Sequence, residues 1–154
     1  MTASHNFNIV RATPQDRDAV MALWQRCGLV VSYNDPGADF DFAHGKANSD
    51  VLVGRLDGRV VAAFYGLCAK GRLYAYIMGF DDGFARQSFG SLLLAHAVFS
   101  TAADGARELH FLRGGEGYKY MWGAVDRALV TRKLRPPPLP SLTRRAPRAI
   151  AAEG

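Results

Sequence analysis

The chain has 154 residues, 49% of them hydrophobic, which suits one globular domain with one core. No apolar run approaches the ~18 residues needed to cross a bilayer, and the best, Leu92 to Phe99, is broken by His96. The formal charge of +5 is concentrated: Arg135, Arg144, Arg145 and Arg148 against Glu153 place +3 in residues 135–154, and the +2 left for the body is too little to make nucleic acid an expected partner. Cys27 and Cys68 make no disulfide framework, and MTASHNFNIV lacks the basic-then-apolar build of a signal peptide. Both point to a reducing cytoplasm.

Phe7 to Ala12 reads as an opening strand. Thr13-Pro14 then starts a helix, with Thr13 as N-cap, and Val20, Leu23, Trp24 and Cys27 recur along its buried face until Gly28 closes it. Asn34-Asp35-Pro36-Gly37 is a turn cluster, followed by a short helix from Phe40 to Gly45. Val51–Arg55 and Arg59–Leu67 are strands joined by Asp57-Gly58, a hairpin signal. Leu73–Phe80 is a third strand after the Lys70-Gly71 turn, and Asp81–Phe89 is a loop. Gly90–Ala103 is a helix with Leu92, Ala95, His96 and Phe99 along one stripe. Glu108–Leu112 is a strand, Tyr118–Asp126 a helix, and Ala128–Lys133 a last strand. The crossover helix makes the strands on either side of it parallel. The fold class is therefore α/β: a mixed, mostly antiparallel sheet flanked by helices, in one domain over residues 1–134. Five of the seven prolines fall in 135–154, which reads as an extended, disordered tail.

The stretch from Phe84 to Gly123 carries the chemistry. A polar turn with Gly90 opens an apolar helix there, and such a turn leaves N–H groups and the positive end of the helix dipole facing outward. Phosphate is a common guest of such an end. Gly90 lets backbone approach a phosphate, and Arg86 can pair with it. A polar turn before a core helix is the other reading of the same residues.

The order of elements resembles the GNAT N-acetyltransferase superfamily, which binds acetyl-CoA. Residues 8–50 are similar to a small bacterial GNAT group through Leu23-Trp24-Gln25-Arg26-Cys27-Gly28 and Asn34-Asp35-Pro36. Residues 57–134 resemble the CelD-like acetyltransferases of cellulose and exopolysaccharide biosynthesis, through Gly58 to Ala62, Phe84-Ala85-Arg86, Gly90 to Leu94, Phe111 to Gly114 and Tyr118-Lys119. The two likenesses meet in the hairpin Val51–Ala62. CelD-like proteins are usually longer, with two such domains.

The resemblance implies acetyl-CoA as co-substrate, with Arg86, Gln87, Ser88, Phe89, Gly90, Ser91 and Leu92 at its pyrophosphate. Gln87 and Gly90 fit the family's Gln/Arg-x-x-Gly-x-Gly/Ala turn; Leu92 replaces its final small residue. Backbone N–H groups at Met78, Gly79 and Phe80 would receive the thioester carbonyl. Tyr118, or Tyr120 in second place, would protonate the departing thiolate, since a phenol stays protonated at neutral pH; otherwise Tyr118 is a core aromatic. Glu116, with Asp81 and Asp82 competing, would take the amine's proton, or is a solvated loop acid. Lys119 would hold an anionic group, or caps a surface. Asn34 and Asp35 make a turn or touch the acceptor. His96 and His110 have no partners at metal-ligand spacing, and no metal is expected.

The activity implied is direct attack of a primary amine, on a small molecule or peptide, on the bound thioester. A catalytically inactive CoA- or partner-binding module, a Fem-type aminoacyl transferase, and a polyanion binder driven by the arginine tail are the alternatives. A homodimer is compatible with the sequence.

Overall fold

The computed structural model describes residues 6–134; the tail expected over 135–154 lies outside them. One compact unit runs from Met1 to Ala124, and a second from Val125 to Gly154. In the first unit, β1 (Phe7–Arg11), β2 (Ser49–Leu56), β3 (Arg59–Ala69), β4 (Arg72–Phe80) and β5 (Glu108–His110) form one sheet in sequence order. β1 to β4 pair antiparallel, and β5 lies parallel to β4, with helix α3 (Phe89–Ala103) as the crossover. A 3-10 turn at Pro14–Asp16 leads into α1 (Arg17–Arg26). Helices α2 (Pro36–Ala43) and α4 (Gly117–Met121) complete the unit.

Two dipeptides set the registers. Asp57-Gly58 (φ 49° and 83°) and Lys70-Gly71 (φ 51° and 71°) both hold the left-handed backbone that a two-residue hairpin turn demands. The central β3 is buried on both faces, which is why it reads as one apolar run. Val60, Ala63 and Tyr65 join Leu23 and Trp24 of α1 and Phe40 of α2. Val61, Ala62 and Phe64 meet Phe89, Leu93, Leu94 and Ala97 of α3 on the other face. Each such large side chain contributes roughly 1.5–3 kcal/mol on leaving water.

Three expectations are corrected. The buried stripe of α3 is Phe89, Gly90, Leu93, Leu94 and Ala97, whereas Leu92, His96 and Phe99 are exposed. The helix is apolar almost all round, so periodicity could not choose its inner face; the stack of Phe89 on Phe7, 4.3 Å between ring centres, fixes it. The last helix ends at Met121 rather than Asp126, because Gly123 turns left-handed at φ 79°. Residues 125–134 carry no regular secondary structure, so the strand expected at Ala128–Lys133 does not form among the described residues. Trp122, expected in the core, is partly exposed.

A buried carboxylate secures the start of α1. Asp16, 4% exposed, accepts from the Thr13 amide (2.7 Å), the Thr13 hydroxyl (2.9 Å) and the Arg55 guanidinium (2.5 Å). Burial pushes its pKa up, but the hydrogen bonds from Thr13 and Arg55 outweigh this and hold it below the usual carboxylate value. Asp16→Ala should cost about 2–3 kcal/mol in urea denaturation, since Arg55 and two Thr13 donors lose their partner. A folded-state pKa below the unfolded one stabilises the fold at neutral pH. That stabilisation should disappear as pH drops through the depressed value, and Asp16→Asn should flatten this acid limb.

Candidate active site

The turn between β4 and α3 has a different construction from the one its glycine suggested. A 3-10 segment spans Asp82–Gln87, where a loop was expected, and the left-handed residue is Ser88 (φ 55°, ψ 33°), the N-cap of α3. Gly90 sits in the first helical turn, buried. A Cβ there would lie 2.8 Å from Cδ1 of Phe80, so this glycine makes room for an aromatic ring from the end of β4. Phe89 stacks on Phe7 and leans on Phe84, with ring centres 5.8 Å apart. Gly54 in turn leaves room for Phe7: a Cβ at Gly54 would lie 2.8 Å from the Phe7 ring.

This anchoring holds the helix N-terminus open. The Leu92 amide donates to the Ser88 carbonyl at 3.0 Å, the first bond of the helix. The amides of Phe89, Gly90 and Ser91 precede that bond, and no acceptor among the described residues takes them. Ser88 makes no side-chain cap. Arg86, Gln87, Ser88 and Ser91 are exposed, and Arg86 makes no ion pair with the described residues. Leu92 is exposed as well and projects away from the core.

The strand that leads to this turn departs from its neighbour. The β4–β5 ladder ends at Tyr74 and His110, while β4 continues through residues 75–80. At the point of departure β4 carries a bulge: Ala75 faces Gly66 and Ile77 faces Tyr65, leaving Tyr76 as the extra residue. Met78, Gly79 and Phe80 thus lie on an edge free of β5. Gly79 lets the end of α1 come close, since a Cβ there would meet Leu29, Cys27 and Trp24 at 3.0–3.3 Å. The Cys27 thiol donates to the Phe80 carbonyl at 3.2 Å, and burial pushes its pKa up, against a role as nucleophile. The bulge was missed in the sequence; its signal is the break in alternation at Tyr76-Ile77.

Across the opening stands the β5–α4 loop. Tyr118 packs its ring edge-on against Phe111, with centres 5.9 Å apart, and is partly exposed. Burial first, and then the Glu116 carboxylate, raise its pKa, so the phenol remains a proton donor at neutral pH. Lys119 is 6% exposed. Its ammonium donates to the carbonyls of Arg113 (2.7 Å) and Gly114 (3.3 Å) and pairs with Glu116 at 2.7 Å. Glu116 is exposed, and the hydrogen bond from Lys119 lowers its pKa. These two predicted groups therefore face each other and tie the loop to the helix that carries Tyr118. Asp81, the competing acid, is committed to Arg59, to Arg26 at 4.0 Å and to the Gly83 amide; Asp82 is exposed.

Asn34 and Asp35 are also engaged. Asn34 accepts from the Val31 amide at 2.6 Å and donates to Leu29 O and to Asp39 Oδ2, both at 3.4 Å. Asp35 caps α2 through the amides of Gly37 and Ala38. A cleft of about 710 Å³ lies at the far end of α3, between its C-terminal half and Arg11, Asp50 and Lys70, and none of the candidate cofactor or catalytic residues lines it. Among the described residues no group of His, Cys, Asp and Glu is arranged to hold a metal ion, and no helix is long and apolar enough to cross a membrane.

Gly90→Ala separates packing from ligand binding. The added methyl must displace the Phe80 ring, so the ligand-free protein should lose about 1–3 kcal/mol in chemical denaturation. An unchanged midpoint would mean that Phe80 moves freely.

Residues 6–120 match the acetyltransferase (GNAT) domain family. An acetyltransferase of Pectobacterium atrosepticum is 29% identical over 100 residues, covering 63% of this chain and 69% of its own. Among solved structures, a GNAT family acetyltransferase from Brucella melitensis in complex with acetyl-CoA superposes with a TM-score of 0.62 at 21% identity, over 77% of this chain and 82% of that one. The aminoglycoside N-acetyltransferase AAC(6')-Iy in complex with CoA gives 0.68 at 10% identity, over 86% and 98%. With the sheet order, the parting of β4 from β5 and the open end of α3 in agreement, the chain belongs to the GNAT acetyltransferase family.

Proposed function

We propose that this protein is an acetyl-CoA-dependent N-acetyltransferase that moves the acetyl group to a primary amine by direct attack in a ternary complex. The observation that carries the reading is the set of unengaged amides of Phe89, Gly90 and Ser91 at the N-terminus of α3. They would grip the pyrophosphate of CoA, with Arg86, Gln87 and Ser88 at its rim. Leu92, pointing outward, does not obstruct them. The pantetheine arm would follow the free edge of β4, and an N–H within Met78, Gly79 and Phe80 would donate to the thioester carbonyl as it gains charge.

The amine lone pair then attacks the carbonyl carbon and the C–S bond breaks. Tyr118 gives its proton to the thiolate and regains one from solvent, while the proton of the acylated nitrogen leaves to water. Glu116 and Lys119 serve by holding the loop that presents Tyr118. Their mutual pairing lowers the basicity of Glu116, so a direct role as base is disfavoured. The aminoglycoside enzyme that shares this fold acts on an amino sugar, and an amine on a small molecule is the acceptor class proposed here.

Calorimetry with CoA tests the cofactor site. Ser91→Glu places a carboxylate in the first turn of α3, where the helix dipole favours it by about 0.3–1 kcal/mol. The variant should melt no earlier than the parent, yet bind CoA at least about tenfold more weakly through repulsion of the pyrophosphate. Undiminished affinity would remove the proposed site. Tyr118→Phe should lower kcat roughly a hundredfold with little change in KM for acetyl-CoA. In the parent enzyme the alkaline limb should lie above the ordinary tyrosine range, because the phenol must remain protonated and its pKa is raised; this limb should vanish in the variant. CoA binding without thiol release on any amine of a broad panel would instead identify an inactive binding module.

A further inference from the structure

The bulge in β4 brings two tyrosines together beside an acid of α2. Tyr65 of β3 is 3% exposed, and its hydroxyl has no partner among the described residues. A buried phenol normally finds such a partner. Tyr76, the extra residue of the bulge, packs edge-on against Tyr65 with ring centres 5.0 Å apart, and remains half exposed. Asp39 immediately precedes Phe40, which shares the Tyr65 core cluster. Its Oδ2 takes only the long 3.4 Å bond from Asn34, and Oδ1 has no partner among the described residues. The Asn34–Asp35 turn thus has a purpose that the sequence did not reveal: Asp35 caps α2 and Asn34 steadies the carboxylate on it. After burial, the Asp39 carboxylate is the next cause raising the pKa of both Tyr65 and Tyr76, so its field reaches both rings.

A half-open pocket with an ionised carboxylate, an unpartnered phenol and an aromatic face suits an ammonium group: the acid and the hydroxyl take its N–H donors, and the ring face its charge. We propose that Asp39, Tyr65 and Tyr76 bind a second cationic nitrogen of the acceptor, so the preferred substrate is a diamine or polyamine. The proposal relies on the acyltransferase reading for the position of the reacting nitrogen, beside residues 78–80. From Tyr76 to Met78 is two residues of strand, roughly 7 Å, which is about the reach of a five-carbon diamine.

The test is calorimetric titration of the full chain, saturated with CoA, with 1,5-diaminopentane and with 1-aminopentane. The diamine should bind at least about tenfold tighter, the equivalent of one charge-assisted contact. Asp39→Asn and Tyr76→Leu should each bring that ratio close to one; Tyr76 is half exposed, so its replacement leaves the core intact. Equal binding of the two amines, binding of neither, or a preference that survives both substitutions would overturn the proposal. The outcome is separable from that of the acyltransferase reading. Should CoA itself fail to bind, that reading falls, while the same titrations on the cofactor-free protein still decide the amine site, because Asp39, Tyr65 and Tyr76 lie outside the cofactor turn.

Discussion

The stack of Phe7 on Phe89 is the contact on which the cofactor end of the molecule depends. It joins the first strand to the first turn of α3 across some eighty residues of sequence. The contact is possible because Gly54 leaves the Phe7 ring room on β2. Gly90 does the same for Phe80 one residue further along α3. With its first turn held between β1 and the end of β4, α3 cannot settle by rotating another apolar stripe inward. Its N-terminal amides are therefore held in one place, at the end of the one strand that outruns its neighbour.

That geometry follows from close packing more than from any single favourable interaction. Interiors are dense and bistable rather than compliant, so two missing side chains at Gly54 and Gly90 decide where two aromatic rings go. The rings in turn decide which amides stay unpaired. The same economy appears across the opening, where the buried Lys119 ammonium gathers two loop carbonyls and Glu116 and so fixes the start of α4. Ions placed this way contribute order, and their chemistry is largely consumed in doing so. Glu116 and Lys119 look like an acid–base pair in the sequence because both are charged and close to Tyr118. In the fold they satisfy each other.

On the opposite face of the sheet, the bulge at Tyr76 has an equivalent influence. One extra residue turns the following side chains over: Ile77 joins the α1–α2 core instead of the α3 core, and Tyr76 is left against Tyr65. It also coincides with the parting of β4 from β5. A single irregularity thus both opens the free edge proposed for pantetheine and builds the surface proposed to meet the acceptor.

Strand order, both tight hairpin turns, the parallel crossover and the anion-binding character of the turn before α3 were legible in the sequence. Each rests on local chemistry: Asp57-Gly58 and Lys70-Gly71 adopt left-handed backbone readily, and a helix cannot satisfy its own first amides. The inner face of α3, the left-handed residue at Ser88, the bulge at Tyr76 and the end of α4 at Met121 were not. An all-round apolar helix has no periodic signal to read. A bulge exists only as a mismatch between two strands. The engagement of Asn34, Asp35, Glu116 and Lys119 was hidden for the same reason, since a charge in a sequence does not disclose whether the folded chain brings it a partner.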